Sequence, residues 1–558
     1  MTETFNLIDE PWIEVVDHDG KESIISIRDL LDKAERYRDL SHALGTVNFA
    51  TLRVILAILY RSWDSKKLRK LDNALDHWEQ KWQQESLLDT EVQKYLDTWH
   101  HRFDLRDEKM PFFQVADLHT EKNRWRELDI LFPDIGRDGD LYTMRSGVVS
   151  ISGAEAAQML VHVMAYDCAG IKTGVVGDPR VKEGKGYGQK GYRNISWAGW
   201  LGGTILKGAS LRETILLNYV PQREEAGTDD LPQWELQPLG PAPRSESMYN
   251  LDFPERNGTT GLVELLTWPQ RRIRLRWKDD RVDGVIVANG DLVGYATKFG
   301  IETMTPWRFS DPQSKKVKQP VYMPQELDSG RAMWRSVGNI LPNSTMERKK
   351  SKFADNALTS VTAANVQWLG KLVSREIVSR NKFVNLYMVS MVYGKQSSRF
   401  SGIVQDSLVL KVPFFDAHDE RFRAVAREAV SQTDKVAKLV GNFYRDVIFA
   451  VSGERKVNTD EVRERFYNLV DFPFREWLRD FSNTDDPVEK LYQWSKELKR
   501  KTRSLTQEVL SDQGPGVWVG RWNYDRHIRV TGANAELWLN NELRKLLDSV
   551  VDRQDGNN

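Results

Sequence analysis

The residues best suited to bind another molecule lie in a glycine-rich, basic stretch at positions 170–191. It holds seven glycines and five Lys or Arg residues among 22 positions, against two acids. This composition disfavours a helix or a strand and favours a loop whose backbone approaches a partner closely. Backbone N–H groups beside Lys and Arg side chains suit a phosphate-bearing partner. A mobile surface loop without any partner is the alternative that composition leaves open.

A second basic segment, RRIRLRWKDD at 271–280, alternates in a way that predicts a strand. It is expected to form a hairpin with the segment at 283–290. The side chains of Arg272, Arg274 and Arg276 then share one face of that strand. Such a face is suited to follow a nucleic-acid backbone, and a solvated sheet face is the alternative.

Two further positions are candidates for direct contacts. Lys298 stands in an otherwise uncharged stretch beside aromatic residues and glycine. The segment 385–415 predicts two strands joined by a turn near 394–397, with small and polar residues at the tip. An exposed loop and a polar hairpin tip are typical places for binding residues.

Patterns that indicate catalysis are missing from the sequence. It contains no GxxxxGK[ST], GxSxG, HExxH or CxxC motif, and GKGYGQKG at 184–191 lacks the third glycine of a dinucleotide-binding fingerprint. Cys168 is the single cysteine, which excludes an internal disulfide and a cysteine-cluster zinc site. The residues therefore favour a binding protein over an enzyme, with no catalytic residue, cofactor or metal. A metal-dependent nuclease is the alternative, and it requires clustered acids or histidines.

The composition is that of a folded protein whose net charge does not by itself attract nucleic acid. The 558 residues include 80 basic and 80 acidic ones, so any nucleic-acid site must be a local patch. An apolar share of 40% and 19 tryptophans predict a substantial core, with some tryptophans available as stacking platforms. No apolar run is long enough to span a membrane, and no secretory leader opens the chain. We therefore expect a cytoplasmic protein without a membrane partner.

The pattern of elements predicts an α+β fold in two parts. Residues 1–415 alternate strand-like and helix-like segments and form a large mixed domain. Residues 416–558 contain four amphipathic segments without strands between them, which predicts a C-terminal four-helix bundle. Within it, Pro473 predicts a kink or break, and Pro487 suits the first position of a helix.

A set of short motifs, taken in order, resembles the CasA family, the large subunits of the type I-E CRISPR surveillance complex Cascade. The resemblance covers essentially the whole chain and includes the glycine-rich stretch and the helix bundle. Its remaining motifs are NLIDEPWI (6–13), MPFFQV (110–115), LRETILLN (211–218), TWPQ (267–270), MTPW (304–307) and YGKQSS (393–398).

The resemblance implies a function in antiviral defence. Such a subunit assembles with the other Cascade subunits and the crRNA and is not itself a nuclease. It recognises the protospacer-adjacent motif, or PAM, in double-stranded DNA from the minor groove. It then promotes duplex opening and R-loop formation and helps recruit a separate helicase-nuclease. The alternative is a structural scaffold subunit that does not read the motif.

The resemblance also implies site residues, position by position. Lys298 matches the lysine that enters the minor groove, and Gln396 matches the residue that wedges the first base pair apart. The loop at 130–140 matches a loop that contacts the crRNA end and a neighbouring subunit, with Phe132 and Asp134 as its candidates. The predicted DNA-binding residues are Gly170, Lys172, Thr173, Gly174, Lys298, Lys395, Gln396 and Ser397. The glycine-rich stretch is longer than the family pattern. The alternative role of its inserted basic residues is to hold DNA backbone phosphates, and these residues are Arg180, Lys182, Lys185 and Lys190.

Overall fold

The structure is a computed structural model. It describes residues 4–63, 66–135, 147–188, 192–221, 230–244, 259, 261–342, 348–416, 418–482 and 484–548. The chain divides into two compact units. The first comprises Met1–Ser329, Thr345–Ile377 and Phe383–Ser407, and the second comprises Gly330–Ser344, Val378–Lys382 and Leu408–Asn558. The second unit therefore includes three segments that the sequence placed in the first part, at 330–344, 378–382 and 408–415. A domain boundary at residue 415 stays a prediction.

Helices occur in both units. Those of the described ranges are α1 (Ile27–Lys33), α2 (Gly45–Ser62), α3 (Leu71–Gln83), α4 (Thr90–Trp99), α5 (Gly153–Tyr166), α6 (Leu211–Asn218), α7 (Leu262–Leu266), α8 (Asp311–Val317), α9 (Val337–Ile340), α10 (Ala364–Ser374), α11 (Arg421–Ser452), α12 (Asp460–Arg479), α13 (Pro487–Asp512), α14 (Gly516–Val519) and α15 (Gly532–Leu547).

The strands are short except for two hairpins. Those of the described ranges are β1 (Ile13–Asp17), β2 (Glu22–Ile25), β3 (Tyr37–Leu40), β4 (Lys172–Thr173), β5 (Val181–Lys182), β6 (Lys185–Gly186), β7 (Gly203–Lys207), β8 (Arg271–Lys278), β9 (Arg281–Asn289), β10 (Trp307–Phe309), β11 (Tyr322–Pro324), β12 (Arg348–Ser351), β13 (Ala354–Leu358), β14 (Ser360–Val361), β15 (Phe383–Tyr393), β16 (Phe400–Lys411), β17 (Arg521–Asn523) and β18 (Ile528–Val530).

These strands form several small sheets. Their orders are β2-β1-β3, β4-β6-β5, β16-β15-β7, β11-β10-β14, β8-β9, β12-β13 and β17-β18. The predicted hairpin of β8 and β9 is confirmed, with Arg271 opposite Asn289 and Lys278 opposite Arg281. The α+β prediction is confirmed as a mixture of helices and sheets followed by a helical C-terminal region.

The core of the first unit is organised around α2 and α5. Helix α2 is buried along almost its whole length, because it is apolar on most of its faces. Helix α5 begins where the Ser152 side chain accepts a hydrogen bond from the Glu155 N–H. In this core Arg53 and Glu302 form an ion pair of 2.9 Å, with side chains 2% and 0% exposed. Helix α5 then leads directly into the glycine-rich stretch.

In the second unit the four predicted amphipathic helices are α11, α12, α13 and α15. Pro487 occupies the first turn of α13, as expected. Helix α12 runs through Pro473 without a break. The prediction that no strands separate the helices is wrong, because α14 and the hairpin of β17 and β18 lie between α13 and α15. Strands this short, three residues each, produce almost no periodic signal.

Candidate nucleic-acid interface

The predicted hairpin around residue 396 is confirmed, and its tip is strongly bent. Strands β15 and β16 are joined by residues 394–399, and the Gly394 N–H donates to the Arg399 carbonyl at 3.0 Å. Gln396 and Ser397 both have positive φ, 56° and 53°. Lys395 and Gln396 are exposed. A non-glycine residue held in the left-handed region is strained, and such strain is common at ligand-binding positions.

The glycine-rich stretch is folded, which corrects the prediction of a loop without strands. Its strands form the three-stranded sheet β4-β6-β5, in which Thr173 pairs with Lys185. Gly174 is buried, and its N–H donates to the Gly184 carbonyl at 3.1 Å. Glycine permits this contact, since a Cβ at position 174 lies 2.4 Å from the Gly184 carbonyl carbon. Residues 189–191 lie outside the described residues.

The start of the glycine-rich stretch lies against the hairpin tip. The Ala169 N–H donates to the Ser397 carbonyl at 2.7 Å. A Cβ at Gly170, whose φ is +111°, lies 3.8 Å from the Ser398 Cβ. The structure therefore brings Gly170 and the tip residues together, although they are more than two hundred positions apart in the chain.

Arg193 supports this junction, and sequence reasoning missed it. Its Nε donates to the Ser397 Oγ at 3.0 Å. Its guanidinium lies 5.1 Å from the Trp200 ring centre and 5.4 Å from that of Tyr393. The same group pairs with Glu326 at 2.5 Å. A single Arg in the segment GYRNISW gives no sequence signal, because all of its partners except Trp200 are distant in the chain.

Lys172 is directed inward, in contrast to the predicted DNA contact. Its Nζ lies 2.6 Å from a carboxylate oxygen of Asp167, and its side chain is 12% exposed. Asp167 also accepts a hydrogen bond from Arg271. Burial alone raises the pKa of the Asp167 carboxyl, but the charges of Lys172 and Arg271 outweigh this effect and hold its pKa below the ordinary value. Lys172 therefore fixes the base of β4 to the core.

Lys298 is also buried, with 0% of the residue exposed. Its Nζ donates to the Thr297 Oγ1 at 2.6 Å. Burial lowers the pKa of its ammonium from 10.5 to about 7, and the nearby Glu264 carboxylate only partly opposes this. A buried lysine with a strongly lowered pKa is a functional-site candidate on physical grounds. The conformation described nevertheless does not present Lys298 to a DNA groove.

The segment that carries Lys298 adjoins Arg193 through aromatic contacts. Tyr295 stacks on Tyr192, with ring centres 6.2 Å apart. The Tyr192 hydroxyl donates to the Val293 carbonyl at 2.5 Å. Residues 293–298 therefore lie next to the Arg193 segment, which in turn contacts the hairpin tip. Of the predicted DNA-binding residues, Lys172, Gly174 and Lys298 are directed inward or buried. Lys395 and Gln396 are exposed at the tip.

The predicted basic face of β8 is buried at its Arg272 end and exposed at its Arg276 end. Arg272 is 0% exposed and pairs with Asp291 at 2.7 Å. Its guanidinium also donates to the carbonyls of Gly240 and Pro269. The strand itself was predicted correctly. The burial of its Arg272 end was not predicted, because charged residues seldom lie in a core. Arg276 is exposed and pairs with Asp283.

The candidates for crRNA or subunit contact are less accessible than predicted. The Phe132 side chain is 3% exposed and packs into the core. Asp134 is half-buried. Residues 136–140 of the predicted contact loop lie outside the described residues.

The described residues lack both a metal-binding cluster and a membrane-spanning helix. They contain no group of three or more His, Cys, Asp or Glu side chains able to hold a metal ion. None of their helices combines the length and apolarity needed to cross a bilayer.

Comparison with known proteins gives a consistent family. The family model of CRISPR-associated protein Cse1 matches residues 6–505. The crystal structure of Thermobifida fusca Cse1 is similar with a TM-score of 0.86 and 33% identity, covering 98% of each chain. A curated relative, CRISPR-associated protein CasA/Cse1 of Thermus thermophilus, is 27% identical over 348 residues. That match spans 61% of this chain and 61% of the relative.

A more distant structure has the same fold. It is a chain of a CRISPR RNA-guided surveillance complex, with a TM-score of 0.61 and 15% identity over 91% of this chain and 99% of that one. At this identity the likeness shows the fold alone.

Proposed function

The chain belongs to the CRISPR-associated protein Cse1 family, and we propose that it is the large subunit of a type I-E CRISPR surveillance complex, Cascade. In this role it binds the crRNA and other Cascade subunits and is not a nuclease. It recognises the PAM in double-stranded DNA from the minor groove, promotes duplex opening and R-loop formation, and helps recruit a helicase-nuclease. Family membership and the fold shared with a surveillance-complex chain support the assembly.

One observation carries the DNA-reading part of the proposal. The exposed hairpin tip at Lys395 and Gln396 lies against Gly170 at the start of the glycine-rich stretch. Together they place the glycine backbone at position 170 beside two exposed polar side chains. The minor groove is about 6 Å wide and displays mainly acceptor atoms, which suits backbone amides and single donor side chains. Because its pattern is degenerate, a reader of this kind accepts several related motifs.

Within this proposal the predicted residues have different tasks. Gln396 enters between bases and separates the first pair, while Lys395 and Ser397 flank it. Gly170 and Thr173 present backbone and a hydroxyl to the groove, and Gly174 and Lys172 maintain the shape of the stretch. Phe132 and Asp134 belong to the crRNA-side contact. Lys298 becomes a groove contact when residues 293–300 move outward and expose its ammonium.

The test is a gel shift of the reconstituted complex on duplex DNA with and without a permissive motif. Lys298→Met removes the ammonium and preserves the side-chain length, and Lys435→Met, which changes an exposed lysine of α11, is the matched control. We expect the Lys298 variant to assemble but to lose its preference for motif-bearing DNA. A structural scaffold predicts unchanged discrimination, and that result rejects Lys298 as a reader.

A further inference from the structure

The second unit exposes an aromatic surface that the proposed function does not use. Of the 19 tryptophans, all within the described ranges, only Trp518 and Trp522 are exposed, at 54% and 50%. Val519, which lies between them in the chain, is 64% exposed, and Tyr524, two residues after Trp522, is 74% exposed. We call Trp518, Val519, Trp522 and Tyr524 the aromatic platform. Since the chain buries or half-buries every other tryptophan, this clustering within seven residues indicates a binding surface.

The outer face of the hairpin combines an aromatic ring with a positive charge. Trp522 and Arg529 are direct cross-strand partners of β17 and β18, so their side chains share one face. Both are exposed. Within the described residues the Arg529 guanidinium makes no ion pair or hydrogen bond. An aromatic ring and an available cation therefore stand side by side in solvent.

The inner face fastens the hairpin to the bundle. Val530 is 0% exposed, and the Arg521 Nε donates to the Val451 carbonyl at 2.9 Å. Gly520 has φ +68°, and a Cβ there lies 2.1 Å from the Val530 carbonyl oxygen. Only glycine permits this close turn. These contacts therefore hold the hairpin that carries the platform in a fixed position on the bundle.

Ion pairs at the turn add to this support and leave the surface positive. Arg526 pairs with Asp446 at 2.9 Å, and Arg455 pairs with Asp525 at 2.5 Å. Within each pair the positive and negative charges cancel. Arg529 and Arg521, in contrast, contribute positive charge and have no acidic ion-pair partner in the part of the chain that the structure describes. The hairpin thus keeps a net positive charge beside its aromatic rings.

We propose that this hairpin is a binding site for an unpaired stretch of nucleic acid, whose bases stack on Trp522 and Tyr524 and whose phosphate contacts Arg529. Exposed aromatic rings accept any base because every base has a flat π face, and an adjacent arginine supplies the phosphate contact. A double helix keeps its base faces stacked internally and does not offer them. The site therefore selects single strands over duplexes without selecting sequence. It does not depend on the proposed function of the hairpin tip at 395–397.

The experiment uses the full chain and labelled 15-nucleotide single strands of DNA and of RNA, with a DNA duplex for comparison. Affinity is measured by fluorescence anisotropy across a salt series. The variants are Trp522→Ala, Trp522→Phe and Arg529→Ala. Phe472→Ala is the matched control, since Phe472 is 69% exposed on α12. In parallel, strands carrying 5-bromouracil are cross-linked by light, and the modified peptides are identified by mass spectrometry.

We expect Trp522→Ala to weaken single-strand binding about 5- to 150-fold, the range for loss of one stacked base. Trp522→Phe should restore most of the affinity, and Phe472→Ala should have no effect. Arg529→Ala should lower the slope of log affinity against log salt by about 0.7, as for one phosphate contact. Cross-links should appear between residues 518 and 529, and adducts with DNA, RNA or both identify which strand the site takes.

Three results overturn the proposal. The first is the absence of oligonucleotide binding by the wild-type chain. The second is unchanged affinity of Trp522→Ala together with no cross-link between residues 518 and 529. The third is duplex binding that depends on Trp522 as strongly as single-strand binding does, because a stacking site cannot behave in that way.

Discussion

Replacing Lys298 by methionine is expected to stabilise the protein. The ammonium is 0% exposed, and burial lowers its pKa from 10.5 to about 7. At about 1.36 kcal/mol per unit, this difference destabilises the folded state by roughly 5 kcal/mol well below pH 7 and by about 4 kcal/mol at pH 7. Methionine has a similar length and no charge to desolvate. Lys298→Met should therefore raise the free energy of unfolding at pH 7 by up to about 4 kcal/mol.

The pH dependence of this gain follows from the direction of the pKa change. Between pH 7 and 10.5 the unfolded chain holds a proton on Lys298 that the folded chain has largely lost. The stability of the wild-type protein therefore rises with pH in this window, by up to about 1.4 kcal/mol per pH unit from this group. Other titrating groups are common to both proteins and cancel in the difference. The advantage of the methionine variant should shrink steadily as the pH approaches 10.5.

The assay is urea denaturation of the wild-type, Lys298→Met and Lys435→Met chains at several pH values from 7 to 10. The control changes an exposed lysine and should alter the free energy of unfolding by no more than about 0.5 kcal/mol. The reasoning is refuted if Lys298→Met is less stable than wild type at pH 7 and the difference does not change with pH. That result means that the ammonium is well solvated or strongly paired in the folded state.

Three further substitutions test other contacts. Gly174→Ala brings a methyl carbon 2.4 Å from the Gly184 carbonyl carbon, so we expect faster amide hydrogen exchange across β4 and β6. Arg193→Ala removes the hydrogen bond to the Ser397 Oγ and the aromatic contacts, which should speed amide exchange at the hairpin tip about 30-fold. Glu302→Gln leaves its buried arginine partner without a counter-charge and should reduce the free energy of unfolding by about 3–5 kcal/mol, measured by denaturation.

Two of these substitutions have a matched control within the chain. Gly402→Ala meets no heavy atom within 4 Å and should leave exchange unchanged. Glu508→Gln breaks the exposed pair with Arg465 and should alter stability by about 1 kcal/mol or less. Equal effects of Glu302→Gln and Glu508→Gln contradict the buried ion pair. Unchanged exchange at the tip in Arg193→Ala contradicts its supporting role.

The elements with strong local signals were predictable from the sequence. Helix α5 was indicated by its cap at Ser152, the hairpin at 394–398 by apolar runs around a polar tip, and the bundle helices by their periodicity. Each signal arises within a few residues, because capping, alternation and amphipathicity are local properties. The family motifs supplied the order in which these elements occur.

The contacts of the site were not predictable, because they join residues that are distant in the chain. Nothing near Lys298 shows that it is buried, and nothing near Arg193 indicates that it supports the hairpin tip. The strands β4 to β6 depend on the close approach of Gly174 and Gly184, and composition alone suggests a loop. Likewise, tryptophan content predicts a core but does not reveal that Trp522 remains outside it.

The most direct test of DNA reading measures the opening of the base pair next to the motif. The reconstituted complex is mixed with duplex DNA carrying 2-aminopurine at that pair, and fluorescence reports unstacking. Gln396→Ala is compared with Gln507→Ala, which changes an exposed glutamine of α13. We predict that complexes with the wild-type chain or with Gln507→Ala increase the fluorescence. The Gln396→Ala chain should assemble with its partners normally, but its complex should not increase the fluorescence. An increase of the same size and rate with Gln396→Ala contradicts the proposal that the hairpin tip separates the duplex.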